Sequence, residues 1–514
     1  MLASINSILL NGLEAGVIDV ELDVSKGLHS FSIVGLPDKA VEEAKDRINS
    51  AIKNSNFEAP NRGNRKIVVS LAPADIKKEG THFDLAIAMS FLLANKFVRF
   101  NPKDKIFLGE LGLTGKLRPI KGTLLMVQKA KEKGFKQVYL PIENAKEASL
   151  IKDIEIFGCL NLLEVAEALD PKLDKKIKKT LITAPHTSLD DSEEGLIVDI
   201  DFADIAGQET AKRGLEIAGA GGHNIMLSGP PGTGKTMLAK AFPGILPPLS
   251  INEALEATGI HSTTGLSIDK IISTPPIRSP HHTASYVSLV GGGSFPKPGE
   301  ITLAHRGVLF LDEFPEFEKR VIETLRQPLE DRIISVSRSK KSVIFPAHFI
   351  LIAAMNPCPC GHKGSRKECV CTMQALTRYD RKLSGPIVDR IDLWINVPEV
   401  EMEKLIKKTE GGEGSKKIRQ KVIKARNKQL ARFKNEKINL NSEMSKKQLE
   451  QYAPLSENNY KLLIDASKKL GLSARSFHRV IRLSRTIADL DNSDNIKEIH
   501  LLEALQYRPN RQVI

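Results

Sequence analysis

The chain has 514 residues, 41% hydrophobic and 27% charged, with a formal net charge of +13. That length exceeds one ordinary core and leads to an expectation of about two to four domains. No run approaches the roughly 20 apolar residues of a spanning helix, the opening MLASINSILLNGLEAG lacks a secretory pattern, and five cysteines are few for a secreted scaffold, so a cytoplasmic protein with no membrane partner is expected.

Residues 1–168 mix strand-like runs (GVIDVELDV, RKIVVSLAP) with helical ones (DKAVEEAKDRINSAIKN, LLMVQKAKEKG), an α+β pattern. Residues 169–199 have scattered charge and no lasting apolar period, and they read as a linker. Apolar strands alternate with helices over 200–398, the pattern of a parallel α/β core. Residues 399–514 read as helical and basic. From Asn396 to Ile514, 25 Lys/Arg stand against 15 Asp/Glu, which fits either a solvated Lys-rich surface or an anionic polymer as partner. Within that region the segment Lys404–Lys437 holds 13 Lys/Arg and 3 Asp/Glu, read either as a second contact for such a polymer or as a solvated helix.

The stretch NIMLSGPPGTGKTMLAKAF places Gly229, Pro230, Pro231, Gly232, Thr233, Gly234, Lys235 and Thr236 in the spacing G-x-x-x-x-G-K-T, after an apolar strand and at the start of a helix. Backbone N–H groups of such a loop curl around phosphates, Lys235 reaches the β/γ oxygens, and Thr236 ligates Mg²⁺. ATP with Mg²⁺ is therefore the expected ligand. In RGVLFLDEF four apolar residues precede Asp312 and Glu313. A buried parallel strand would bring this pair beside the phosphate loop, with Asp312 on the metal through water and Glu313 polarising the attacking water. FILIAAMNP is a further buried strand ending in Asn356, a residue able to position that water or to form a turn before Pro357.

CPCGHKGSRKECVC spaces Cys358, Cys360, Cys369 and Cys371 as C-x-C-x₈-C-x-C. Four thiolates can close a structural Zn²⁺ site; free or oxidisable cysteines are the other reading. His281 and His282 are adjacent in SPHHT. On an extended segment they would point to opposite faces and share no ion.

These residues together resemble the AAA+ ATPases, and more narrowly the magnesium-chelatase-like ComM/YifB family. DFADIAGQ, GPPGTGKT, RSPHHTASYVSLVGGGSFPKPGEITLAHRGVLFLDEFPEF, LRQPLED, AAMNPCPCG, LSGPIVDRIDL and SARSFHRVIRLSRTIADL occur in the family's order across nearly the whole chain. The resemblance implies an AAA+ P-loop core at 200–398 with a helical C-terminal lid at 399–514. It implies that Ile205, Gly207 and Gln208 border the adenine. Arg390 becomes the arginine finger given to a neighbouring subunit, and Arg475 the lid sensor, with Arg479 in reserve. A finger acting in trans requires a ring, by analogy a hexamer.

Residues 1–168 are similar to the Lon-type peptidase domain, of the ribosomal S5 domain 2 class. Where Lon carries its Ser and Lys, this chain has His82 and Leu124, so no proteolysis is expected. By the same resemblance two devices line the ring's pore: the insert spanning residues 257–300, and a hairpin within DRIISVSRSKKSVIF that carries Arg338, Lys340 and Lys341 at or near its tip. Such tips suit a sequence-blind phosphate backbone, and an ordinary solvated turn between core strands is the other reading. The family implies an ATP-driven DNA motor promoting branch migration of transforming DNA. A metal-chelatase motor subunit, an ATP-driven peptidase and a regulatory ATPase that does not act on DNA remain alternatives.

Overall fold

The computed structural model describes residues 1–170, 172–173, 182–183, 200–264, 271–293, 297–338, 341–400 and 413–509. The chain forms two compact units, Met1–Asp191 with Ala254–Ile271, and Ser192–Glu253 with Ile272–Ile514.

The first unit is built on an eight-stranded mixed sheet in the order Ile182–Thr183, Glu155–Cys159, Gln137–Pro141, Lys105–Phe107, Leu2–Asn11, Glu14–Lys26, Arg65–Ala72, Ser30–Val34. Its centre is the long antiparallel hairpin of Leu2–Asn11 and Glu14–Lys26, paired from Leu2↔Asp23 to Asn11↔Glu14. Ile18, Val20 and Leu22 are fully buried at period two, so one face of that hairpin is committed to the core. Against it packs the helix Asp84–Ala94, apolar nearly all round and therefore enclosed. A second cluster joins Leu124, Val127, Val138 and Ile156, and Leu255 packs on it.

These units do not follow the boundaries read from sequence. Ile182–Thr183 lies within the stretch read as a linker, yet it pairs antiparallel with Glu155–Cys159. Residues 254–271 lie inside the stretch read as the ATPase core, yet they belong to the first unit. The cause is side-chain packing. Gly259 approaches Leu125 so closely that a Cβ would sit 2.6 Å from its Cδ2, and Ser262 donates a hydroxyl hydrogen bond to the buried Glu147 at 2.5 Å.

The second unit holds a five-stranded parallel sheet in the order Ile277–Arg278, Val308–Leu311, Ile350–Met355, Ile225–Ser228, Leu393–Asn396. Val308–Leu311 and Ile350–Met355 are buried throughout, as strands covered on both faces must be. Helices follow from Ser415 onward: Ser415–Arg432, Lys446–Tyr452, Glu457–Leu470, Ala474–Leu490 and Glu498–Gln506. Arg432 and Arg485 both pair with the buried Asp489, fixing two of these helices together. The fold is thus a mixed α/β core with a helical C-terminal region, preceded by an α+β unit.

Candidate nucleotide site

The sheet order sets the site. Ile350–Met355 lies between the strand that enters the phosphate loop and the strand that ends at Asp312, so three strand ends open on one edge. Gly232 and Gly234 have φ of 76° and 91°, and a Cβ on either would meet no atom within 4 Å. The loop between them and Gly229 is therefore a left-handed, open cradle of backbone amides. Lys235 Nζ donates to the Gly229 and Pro230 carbonyls at 2.6 and 2.8 Å and to Asn356 Oδ1 at 3.3 Å. Its burial lowers the ammonium's pKa.

Thr236 Oγ1 donates to Asp312 Oδ2 at 2.8 Å, so one hydroxyl and one carboxylate, both hard oxygen donors, meet at the head of the helix Lys235–Ala241. Glu313 sits in the left-handed region, φ 50° and ψ 43°, and its amide donates to Asp312 Oδ1 at 2.9 Å. Glu313 Oε2 lies 3.0 Å from His282 Nδ1. Gln208 Nε2 donates to the Thr233 carbonyl at 3.3 Å and to the Pro398 carbonyl at 2.7 Å, which brings the 205–208 turn against the phosphate loop. Gly207 shares the turn at φ 63°, and Ile205 is buried in the core. This amide cradle, the Lys235 ammonium and the Thr236–Asp312 pair fit ATP with Mg²⁺.

The two arginines assigned by resemblance meet elsewhere, on Glu330. Arg390 is buried, pairs with Glu330 and donates to the Pro386 carbonyl at 2.8 Å. The more exposed Arg475 reaches Glu330 Oε1 at 3.3 Å. Arg479 is committed inward, to Asp392 and to the Arg390 carbonyl at 3.0 Å. Burial alone would push the Asp392 carboxyl up, but Arg479, His223 and the Asn224 amide hold it far below the ordinary range.

Ile333–Arg338 and Lys341–Pro346 form the expected antiparallel hairpin, registered from Ile333↔Pro346 to Arg338↔Lys341. Ile334 and Val336 are buried while Ser335 is exposed. Lys340 and the side chains of Arg338 and Lys341 lie outside the described residues. In the basic helix Ser415–Arg432, Arg419 and Arg426 are spent on the Gly244 and Gly219 carbonyls and Arg432 on Asp489. Its outward charge comes instead from Lys416, Lys417 and Lys424, all exposed, while the exposed Lys421 pairs with Glu413 at 2.6 Å.

His281 and His282 do not point apart. Ala284 N bonds the His281 carbonyl at 2.9 Å, making a turn rather than an extended segment, and the two rings lie 4.2 Å apart. The contact of His282 with Glu313 had no signal in the local pattern; only the strand order brings that turn there. The four cysteines converge, with their sulfurs all within 4.8 Å of one another. In the first unit His82 is buried against Phe83, with its Nε2 unbonded, and Leu124 is fully enclosed.

A phosphate loop, an acidic pair and a polar strand end on a sheet of this order define an AAA+ ATPase. Residues 201–405 match the family described as magnesium chelatase, subunit ChlI, with further matches at 20–144 (subunit ChlI of Mg-chelatase) and 412–508 (the ChlI C-terminal part). The chain is 41% identical to the competence protein ComM of Haemophilus influenzae and 42% identical to YifB of Escherichia coli, each over 500 residues, 97% of this chain and 95% of that protein. It is 28% identical to Lon protease 2 of Bacillus subtilis over 210 residues, 37% of either chain. The chain belongs to the ComM/YifB family of magnesium-chelatase-like AAA+ ATPases, and that membership implies ATP and Mg²⁺. Among the described residues, no helix is long and apolar enough to cross a membrane.

Proposed function

We propose that this ATPase is a DNA motor that works as a ring of identical subunits, by analogy a hexamer, and promotes branch migration of DNA during recombination. The observation that carries the reading is where the hairpin falls in the chain. Ile333–Pro346 follows Asp312 and Glu313 by way of the short helices Lys319–Thr324 and Arg326–Asp331, and a three-residue link joins it to the strand Ile350–Met355 that leads to Asn356, so the hairpin lies in the chain between the groups that sense phosphate. Its base is fixed by the Ala347 amide on the Arg332 carbonyl at 2.7 Å, and Arg332 and His348 both pair with Glu443 of the helical region. Arg338, Lys340 and Lys341 at the far end supply the charge that a phosphate backbone requires, about 18 positive charges over six subunits. Competence is the role named for the Haemophilus relative, and it supports transforming DNA as the substrate.

In this reading Lys235 would exchange its Gly229 and Pro230 carbonyls for phosphate oxygens, Thr236 would ligate Mg²⁺ and Asp312 would hold it through water. Bound Mg–ATP supplies the phosphoanhydride. Glu313 leaves His282 to polarise water, and Asn356 orients that water while contacting Lys235. Arg390 is the finger given to the neighbouring subunit, which requires its pair with Glu330 to open, and Arg475 reports from the lid. Residues 1–168 act as a collar without peptidase chemistry. One Zn²⁺ on Cys358, Cys360, Cys369 and Cys371 is structural.

The test is ATP-dependent conversion of a labelled four-way junction by the purified protein, at a stated salt concentration. Conversion that needs ATP and is lost with Glu313→Gln supports the motor. Brisk ATP hydrolysis with no action on any DNA contradicts it and favours the chelatase-type or regulatory reading, to which the family's magnesium-chelatase description points.

A further inference from the structure

The loop 357–372 leaves the sheet at Asn356, has no regular secondary structure, and ends at Thr372, which caps the helix Met373–Asp380. A loop of that length with no core of its own needs another constraint. The cysteines provide the material for one. Cys358 Sγ lies 3.4 Å from Cys360 Sγ and 3.7 Å from Cys369 Sγ, and Cys360 and Cys369 are 3.6 Å apart. A tetrahedral ion with Zn–S bonds of about 2.3 Å sets its sulfurs about 3.8 Å apart, so these spacings already approximate one coordination shell. The Lys363 amide donates to Cys358 Sγ at 3.3 Å, a bond that orients a ligand sulfur from outside the shell. Soft thiolates in a four-sulfur set select Zn²⁺ over the hard Mg²⁺ of the nucleotide site.

The same loop touches the nucleotide site at one point, and the helix it leads into touches it at another. Gly361, at φ 82°, lies so close to the phosphate loop that a Cβ would stand 2.8 Å from both Cδ and Cγ of Pro231. At the other end, Tyr379 of the capped helix donates its hydroxyl to the Asn356 carbonyl at 3.1 Å. Asn356 and the Pro230 carbonyl are themselves partners of the Lys235 ammonium.

We infer that Cys358, Cys360, Cys369 and Cys371 hold a Zn²⁺ ion that braces the phosphate loop, pressing Gly361 against Pro231 and fixing Asn356, so that metal occupancy sets nucleotide affinity. This rests on the reading of Gly229–Thr236 as the ATP site. A loop held in its binding shape gives up less conformational freedom when nucleotide arrives, and unpinning it weakens binding by about tenfold.

The experiment uses the full chain purified without chelator, with metal content by mass spectrometry and binding of a fluorescent ATP analogue in the presence of Mg²⁺. Four proteins are compared: the parent, Cys369→Ser/Cys371→Ser, Gly361→Ala and Gly364→Ala. Gly364 is the control, because it shares a left-handed φ of 76° yet a Cβ there meets nothing within 4 Å. The inference expects about one zinc per parent chain, zinc loss and weakened binding in the double Cys variant, and weakened binding with zinc retained in Gly361→Ala but not in Gly364→Ala. Parent protein without zinc overturns the metal site. Zinc present but all four affinities equal overturns the brace alone, and a zinc-loaded parent that binds no nucleotide overturns the ATP-site reading beneath it.

Discussion

Lys235 Nζ, at the head of the helix Lys235–Ala241, donates to Asn356 Oδ1, just past the end of the strand Ile350–Met355, at 3.3 Å. One belongs to the phosphate loop and the other to the end of the strand that follows the hairpin. Lys235→Ala removes the charge that meets phosphate, and nucleotide binding should be lost. Asn356→Ala keeps the backbone carbonyl that Tyr379 bonds and the approach of Gly361 to Pro231, so binding should stay within about threefold of the parent while kcat falls about 100-fold or more. Equal loss of binding in both would mean that Asn356 holds the loop's shape rather than acting in hydrolysis.

The 3.0 Å contact between His282 and Glu313 holds the carboxylate that the mechanism needs elsewhere. Glu313→Gln should abolish turnover while nucleotide still binds. His282→Ala should raise the DNA-free ATPase rate, by about three- to tenfold, because Glu313 no longer has to leave a partner. A lower basal rate in His282→Ala would instead give the imidazole a positive role in turnover.

Arg390 and Arg475 share Glu330 within one chain. If Arg390 serves a neighbour, Arg390→Ala alone should cost about 10³-fold in kcat, and so should Glu313→Gln alone. Mixing the two variants should restore turnover, since a Glu313→Gln subunit can give an intact arginine to a site with an intact glutamate. Mixed assemblies as inactive as either parent variant would place Arg390 in its own chain's structure, with Glu330.

Buried charge in the first unit gives a pH prediction of defined sign. Burial lowers the His82 pKa to about 4, from 6.5, so unfolding takes up a proton between those values and stability is lost as pH falls through that window. Burial raises the Asp84 carboxyl to about 6, from 3.8, against the pull of Arg47, and there stability is lost as pH rises. The two slopes oppose each other. His82→Gln removes one of them, so the variant should gain stability relative to the parent as pH falls from 6.5 to 4.5, by up to about 3 kcal/mol in urea unfolding. A difference independent of pH would mean that His82 titrates normally.

The site was legible where chemistry is written locally. Gly229–Thr236, Asp312–Glu313 and Asn356 each follow an apolar strand within a few residues, and a parallel sheet brings such strand ends to one edge. The hairpin was legible for the same reason, since Ile334 and Val336 alternate with polar neighbours. What stayed hidden depends on packing between distant segments. No local pattern sends Gly361 to Pro231 or His282 to Glu313, or gathers Arg390 and Arg475 on Glu330. The placement of 254–271 in the first unit was hidden too, because Gly259 and Leu125 are far apart in sequence and complementary only in shape.

The most direct test of the motor is the ATPase rate with and without four-way-junction DNA, for the parent and for Arg338→Ala/Lys340→Ala/Lys341→Ala. DNA should stimulate the parent severalfold, and the triple variant should keep its DNA-free rate but lose the stimulation. A triple variant stimulated as strongly as the parent would contradict the claim that the hairpin grips DNA.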